Sequence, residues 1–221
     1  MRINKTMLSA RINNFSTYKP VRFGALLSVT FALLLGFAQA STAAEARAIF
    51  AGGCFWCMEE AFEAVDGISE AVSGYIGGDV PNPSYPQVSS GGTGHTEAIE
   101  LLYDPQTVNY DTLLAVFWRN IDPLDARGQF CDKGSQYRSG IFYLDEQQHT
   151  LAQSSKDALV ESKVIKGPIQ TEITAATTFY PAEDYHQDYY LKNPKRYKFY
   201  KWNCGRKQQL DYLWDKLEPG G

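Results

Sequence analysis

Apolar and polar positions alternate in a way that divides the chain into short strands and amphipathic helices. Arg47 to Ala51 reads as a strand. Behind it, Cys57, Met58, Ala61, Phe62 and Val65 fall on one helical stripe, with Glu59, Glu60 and Glu63 on the other face. Gly67 closes that helix, and Ile68 to Tyr75 reads as the next strand. Thr96 to Tyr103 alternates strictly. Glu97, Ile99, Leu101 and Tyr103 share one side, and Ala98, Glu100 and Leu102 share the other. Tyr110, Leu113, Leu114, Phe117, Trp118 and Ile121 recur at helical spacing. Tyr137 to Leu144 predicts another strand, and Asp145 caps a helix to about Lys163 with Leu151, Ala152, Ser155 and Leu159 inward. Gly167-Pro168 stops that helix, Ile169 to Phe179 alternates as a last strand, and Lys207 to Leu217 suggests a terminal helix. Two stretches, 74–94 and 122–136, show no period, and loops of that length in a compact domain usually carry function or are disordered.

Strands and helices in this order share one core. The expected class is α+β: a two-layer α/β sandwich in which helices pack on a mixed sheet with a ferredoxin-like core. No repeat or low-complexity tract breaks residues 41–221, which are expected as one catalytic domain.

The first 40 residues are different. Arg2, Lys5, Arg11, Lys19 and Arg22 come without an acid, Phe23 to Ala40 carries no charge, and Ala38-Gln39-Ala40 has the small-x-small form of an export cleavage site. Residues 1–40 are expected as a signal peptide that is removed, giving an exported, periplasmic protein without stable membrane association. The alternative is a membrane anchor left uncleaved. Losing those five positive charges takes the net charge from −4 to −9, which argues against nucleic acid as a partner. Seven Lys or Arg residues without an acid lie between Lys192 and Lys207, interleaved with Tyr197, Phe199, Tyr200 and Trp202. In an acidic exported chain they read as a solvated tail or as a patch for an acidic partner.

The four cysteines, Cys54, Cys57, Cys131 and Cys204, are few for a structural framework in a chain long enough to build its own core. Redox chemistry is the competing reading. In Gly52-Gly53-Cys54-Phe55-Trp56-Cys57, Cys54 lies between a strand and a helix start, where unpaired N–H groups and the helix dipole favour thiolate. Cys54 is therefore the first candidate nucleophile. Glu97 shares an apolar strand face, where desolvation makes a carboxyl hold its proton, as general-acid catalysis needs. A strand-end glutamate reaching solvent is the plainer reading.

At Gly53-Cys54-Phe55-Trp56 the sequence resembles the peptide methionine sulfoxide reductases of the A class. The resemblance runs from about Ile49 to Leu191 through Gly74-Tyr75-Ile76-Gly77-Gly78, Asn82-Pro83-Ser84-Tyr85, Thr93-Gly94-His95-Thr96-Glu97-Ala98, Tyr103-Asp104-Pro105, Phe117-Trp118, Gly134-Ser135-Gln136-Tyr137-Arg138-Ser139 and Glu183-Asp184-Tyr185-His186-Gln187. It implies reduction of methionine-S-sulfoxide, free or in proteins, without a cofactor or metal. In this resemblance Cys54 matches the nucleophile, Glu97 the acid, and Tyr85 and Tyr137 the hydroxyl donors to the sulfoxide oxygen. Phe55 and Trp56 match the wall for the S-methyl group, and Asp132 a residue on the polar side of the pocket. A second thiol must resolve the sulfenic acid left on Cys54, and a thioredoxin-type dithiol then reduces the disulfide. Cys57, where many family members carry glycine, Cys204 in the C-terminal tail and Cys131 are the candidates, with Cys57 or Cys204 expected to react first. His95, His149 and His186 are expected to be structural. The rival functions are an exported thioredoxin-like oxidoreductase and a zinc module built on the cysteines.

Overall fold

The computed structural model describes residues 44–214, so the expected signal peptide lies outside the described residues. In chain order the elements are β1 (Ala46–Gly52), α1 (Phe55–Glu63), β2 (Ile68–Ile76), α2 (Tyr85–Ser89), β3 (Thr96–Tyr103) and α3 (Tyr110–Arg119). A short hairpin, β4 (Gly128–Gln129) and β5 (Asp132–Lys133), and a 3-10 turn at Ser135–Tyr137 precede β6 (Ser139–Tyr143). Then come α4 (Glu146–Glu161), β7 (Glu172–Ala175), β8 (Tyr180–Pro181), α5 (Tyr189–Lys192), α6 (Pro194–Asn203) and α7 (Arg206–Trp214).

Six strands form one sheet in the order β7-β6-β1-β3-β2-β8. β1 runs antiparallel to both β3 and β6, β2 runs antiparallel to β3 and β8, and β7 is parallel to β6. The units β1-α1-β2 and β3-α3-β6 give the inner order β6-β1-β3-β2, which is the ferredoxin-like arrangement. Apolar faces of α1 and α3 bury Met58, Phe62, Leu113, Leu114 and Phe117 against Phe50, Ile99, Leu101 and Ile141. Phe50 is central to this layer, with its ring 5.3 Å from that of Phe62 and 5.2 Å from that of Phe117. Such burial is the main driving force for the layer.

The expected last strand, Ile169 to Phe179, is cut to the four residues of β7. Its ladder partners are Gly140 to Tyr143 of β6, and Gln170 N–H instead donates to the Pro123 carbonyl. Beyond Ala175 the chain leaves the edge so that Ala176 and Phe179 cover the other sheet face, at Ile49, Ala51, Ile76, Ala98 and Phe142.

The C-terminal segment also differs from the expectation of a solvated tail. It folds back over the face of α1 on which Glu59, Glu60 and Glu63 sit. Glu59 is fully buried and accepts the Asp188 N–H at 2.9 Å. Glu60 accepts the Tyr197 hydroxyl at 2.6 Å and pairs with Lys201, and Glu63 accepts the Tyr190 hydroxyl. Arg206 is buried and donates to the carbonyls of Gly52 and Asn120, with its guanidinium over the Phe130 ring. The polar stripe of α1 is thus an interface. Among the described residues no helix is long and apolar enough to cross a membrane.

Candidate active site

The turn from β1 into α1 sets the site. Gly53 has φ of +79°, and a Cβ added there would lie 2.5 Å from Gln129 Cβ, so both conformation and space call for glycine. Cys54 follows as the N-cap residue of α1, and its carbonyl accepts the N–H groups of Cys57 and Met58. The Phe55 N–H, one of the unpaired donors at the helix start, points at Glu97 Oε2 at 3.1 Å. Strand alternation puts Glu97 on the core side of β3, where it is 2% exposed.

A small cavity of about 60 Å³ is lined by Cys54, Phe55, Trp56, Tyr85, Glu97, Asp132, Tyr137 and Tyr200. Seven of these eight residues are ones the sequence singled out. Tyr85 opens α2 and is anchored by its N–H to Glu183 at 2.9 Å. Asp132 starts β5, and Tyr137 ends the 3-10 turn. Trp56 is held on both sides: its indole N–H donates to His186 Nδ1 at 3.1 Å, and its ring stacks on Tyr189 at 3.8 Å. His186 therefore braces the pocket wall, whereas His95 ties down its own loop and His149 sits on α4 beside Glu146.

Burial pushes the Glu97 carboxyl well above the usual range, outweighing the opposing Phe55 N–H, and the nearby Asp132 and Cys57 push the same way. This burial favours the protonated, acid form of Glu97. Burial raises Tyr85 to about 12 and Tyr137 higher still, so both keep their hydroxyl protons. Asp132 is also shifted up by burial, against the hydrogen bond it accepts from Tyr200.

The cysteine pair corrects the simplest expectation. Burial raises the Cys54 thiol, aided by the hydrogen bond and charge of Cys57 and by the charges of Glu97 and Asp132. Cys57 is lowered to about 6 by the hydrogen bond from Cys54, with Arg206, Tyr197 and Lys201 helping against desolvation. The two thiols titrate as a pair, with Cys57 shifted down and Cys54 shifted up. The helix start does not make Cys54 the thiolate, because its sulfur shares a buried pocket with two carboxyl groups. Cys54 instead donates to a thiolate one turn along α1.

Cys131 and Cys204 form a disulfide, while Cys54 and Cys57 are free. The bond joins two of the three candidate resolving cysteines and leaves Cys57, the third, free beside Cys54. It follows from the hairpin and the end of α6 meeting at Asp132, whose Oδ2 is 4.0 Å from Cys204 Sγ. Sequence reasoning missed Tyr200, which touches both Cys54 and Asp132, together with Tyr197 and Arg206 behind Cys57. Their only sequence signal was the dense mixing of aromatic and basic residues in the tail. Two groups, Cys131–Asp132–Cys204 and Glu59–Glu63–Asp188, have the ligand spacing for a metal. The first has both sulfurs in the disulfide, and Glu59 and Glu63 of the second already accept hydrogen bonds from Asp188 N–H and Tyr190.

The family model "Peptide methionine sulfoxide reductase" matches residues 46–218. The chain belongs to that family. This reductase is 56% identical over 167 residues to a peptide methionine sulfoxide reductase MsrA of Streptococcus uberis, covering 76% of this chain and 96% of the relative. It is 50% identical over 168 residues to the corresponding protein of Listeria innocua, covering 76% and 95%. Among solved structures it resembles reduced Mxr1 from Saccharomyces cerevisiae at TM-score 0.63 and 33% identity, covering 68% of this chain and 86% of that one. Methionine sulfoxide reductase A of Corynebacterium diphtheriae matches at TM-score 0.62 and 34% identity, covering 68% and 76%. The reductase is an oxidoreductase acting on sulfur groups. The thioredoxin-like alternative is not favoured, since the strand leading into Cys54 is antiparallel to both its neighbours.

Proposed function

We propose that the reductase returns methionine-S-sulfoxide, free or in proteins, to methionine at Cys54, and that it thereby repairs oxidised proteins outside the cytoplasm. One observation carries the reading: a single cavity collects a thiol, a neutral carboxyl group, two tyrosine hydroxyls and an aromatic wall. Those are the groups that sulfoxide reduction needs. Phe55 and Trp56 receive the S-methyl group, and Tyr85, Tyr137 and Glu97 surround the oxygen. With methyl and oxygen fixed, only one configuration at sulfur leaves the remaining chain an exit while the sulfur faces Cys54.

As Cys54 Sγ attacks, its proton passes along the existing hydrogen bond to Cys57, and Glu97 gives its proton to the sulfoxide oxygen. The new bond from Cys54 Sγ to the substrate sulfur and the S–O bond then both break, the hydroxyl passing to Cys54 as a sulfenic acid and one electron pair staying on the sulfur of the departing methionine. Cys57, now a thiol one turn away, attacks Cys54 Sγ to form a disulfide and release water. Exchange with Cys204 and then Cys131 carries the disulfide outward. The Cys131–Cys204 bond, with Cys54 and Cys57 reduced, supports such a relay. A thioredoxin-type dithiol closes the cycle. The charged leader and Ala38-Gln39-Ala40 support export to the periplasm.

The test is steady-state reduction of a methionine sulfoxide peptide resolved into its two sulfur epimers, with dithiothreitol as reductant. Consumption of the S epimer alone supports the reading. Equal use of both epimers, or of neither, overturns it.

A further inference from the structure

Beside the reaction pocket lies a second, larger groove of about 340 Å³. The two share Trp56, Tyr85 and Tyr200, and Tyr185, His186, Tyr189 and Arg196 complete the groove. At about 60 Å³ against about 340 Å³, the pocket is much the smaller of the two. The groove lies where a substrate chain would leave the pocket past the shared rings.

The groove walls are ring faces, apart from one guanidinium. Arg196 is exposed and makes no ion pair or hydrogen bond among the described residues. Lys192 pairs with Asp188, Lys201 with Glu60 and Lys207 with Asp211, and the exposed Lys195 and Lys198 do not line the groove, so Arg196 is the tail cation that does. No carboxylate lines the groove. Two acids bonded to lining tyrosines are engaged, Glu183 by the Tyr75 hydroxyl and Tyr85 N–H and Asp132 by Tyr200. A second lining residue carries an unmet donor. His186 Nδ1 accepts from the Trp56 indole, which leaves the proton on Nε2, and that buried N–H has no acceptor.

We propose that this groove holds the substrate chain next to the oxidised methionine, and that Arg196 selects a carboxylate there. The proposal rests on the sulfoxide reductase activity above and names the substrates that the activity favours. The carboxylate comes either from an acidic side chain one or two residues from methionine sulfoxide or from the α-carboxylate of the free amino acid. Ring faces take the flanking chain by contact, and a planar guanidinium takes a carboxylate in bidentate fashion. Arg196 is thus a specificity-determining residue that does not touch the reacting atoms.

The test compares kcat/KM for peptides alike except for Glu or Gln beside methionine sulfoxide, and for N-acetylmethionine sulfoxide against its amide. Wild type is expected to favour the carboxylate member of at least one pair by about three- to tenfold, a preference that shrinks at 0.5 M salt because the contact is solvent-exposed. Arg196→Gln brings the ratio to about one, and Arg196→Lys leaves part of it because the bidentate geometry is lost while the charge remains. Preference in the peptide pair alone identifies a side-chain carboxylate; preference in the amino-acid pair alone identifies the α-carboxylate. A ratio that is the same in wild type and Arg196→Gln overturns the proposal. Failure of wild type to reduce any of these substrates instead removes the activity on which it rests.

Discussion

Replacing Glu97 by glutamine keeps the shape of a buried side chain and removes its acidic proton. The amide oxygen can still accept the Phe55 N–H that now reaches Oε2 at 3.1 Å, so the local backbone has no reason to move. The amide N–H₂ can also still donate to a sulfoxide oxygen, so the change isolates proton transfer. General acids of this kind contribute about 100- to 10,000-fold, or roughly 2.7–5.4 kcal/mol of barrier. The assay is single-turnover methionine formation as a function of pH. In wild type the rate should rise through about pH 6 as the cysteine pair loses its first proton to leave Cys57 charged, then fall at higher pH as Glu97 ionises. In Glu97→Gln the rate should be down by the stated factor and the high-pH fall should vanish. Stability should move the other way. Folded Glu97 holds its proton more tightly than the unfolded chain does. Folding therefore takes up a proton above the ordinary carboxylate range, and this group's contribution to stability falls as pH rises through that window. Glutamine escapes this loss. The Tm of the variant should match wild type near pH 4 and exceed it at pH 8, by about 2–4 °C for each kcal/mol relieved. Activity within tenfold of wild type, or a Tm below wild type at pH 8, would refute the reasoning.

Three further predictions concern the pocket and its supports. Tyr85→Phe and Tyr137→Phe each remove one donor to the sulfoxide oxygen and should cost about ten- to a hundredfold in kcat/KM, with Tm little changed. Arg206→Met leaves the Gly52 and Asn120 carbonyls without their donor and takes a cation from Cys57. Thermal unfolding should show a loss of about 2–4 kcal/mol, and the pH profile of thiol alkylation should move up. Cys57→Ser or Cys204→Ser, whichever blocks the relay, should still form one methionine per enzyme but stop cycling with a dithiol protein. Normal cycling by both variants would exclude the proposed order.

The parts of this enzyme that were legible in the sequence are those fixed by short-range geometry. In β3 the period of two forces Glu97 to the side of Ile99 and Leu101, so its burial follows from the same alternation that makes the strand. Gly53 and Cys54 mark a strand-to-helix turn by residue type alone. The Cys131–Cys204 bond and the burial of Arg206 were not legible, because they depend on where residues 182–214 land after folding back over α1. No period along α6 or α7 encodes that contact. The glutamates of α1 show the cost of reading one helix in isolation. Their spacing says solvent, yet Tyr190, Tyr197 and Lys201 arrive from more than 120 residues away to meet them. Cys54 lies in the pocket with Glu97 and the two tyrosines, but burial there shifts its thiol up rather than down. Helix-start arguments favour its thiolate, and only the three-dimensional pocket reveals Glu97, Asp132 and Cys57 as opposing neighbours.

The most direct measurement is made on an enzyme carrying Cys57→Ser, Cys131→Ser and Cys204→Ser, treated with one equivalent of methionine-S-sulfoxide peptide and a dione probe for sulfenic acid. Mass spectrometry should find one methionine per enzyme and the probe on Cys54, with neither product when Cys54→Ser is added. Methionine formed without Cys54, or a label elsewhere in the chain, would contradict the account.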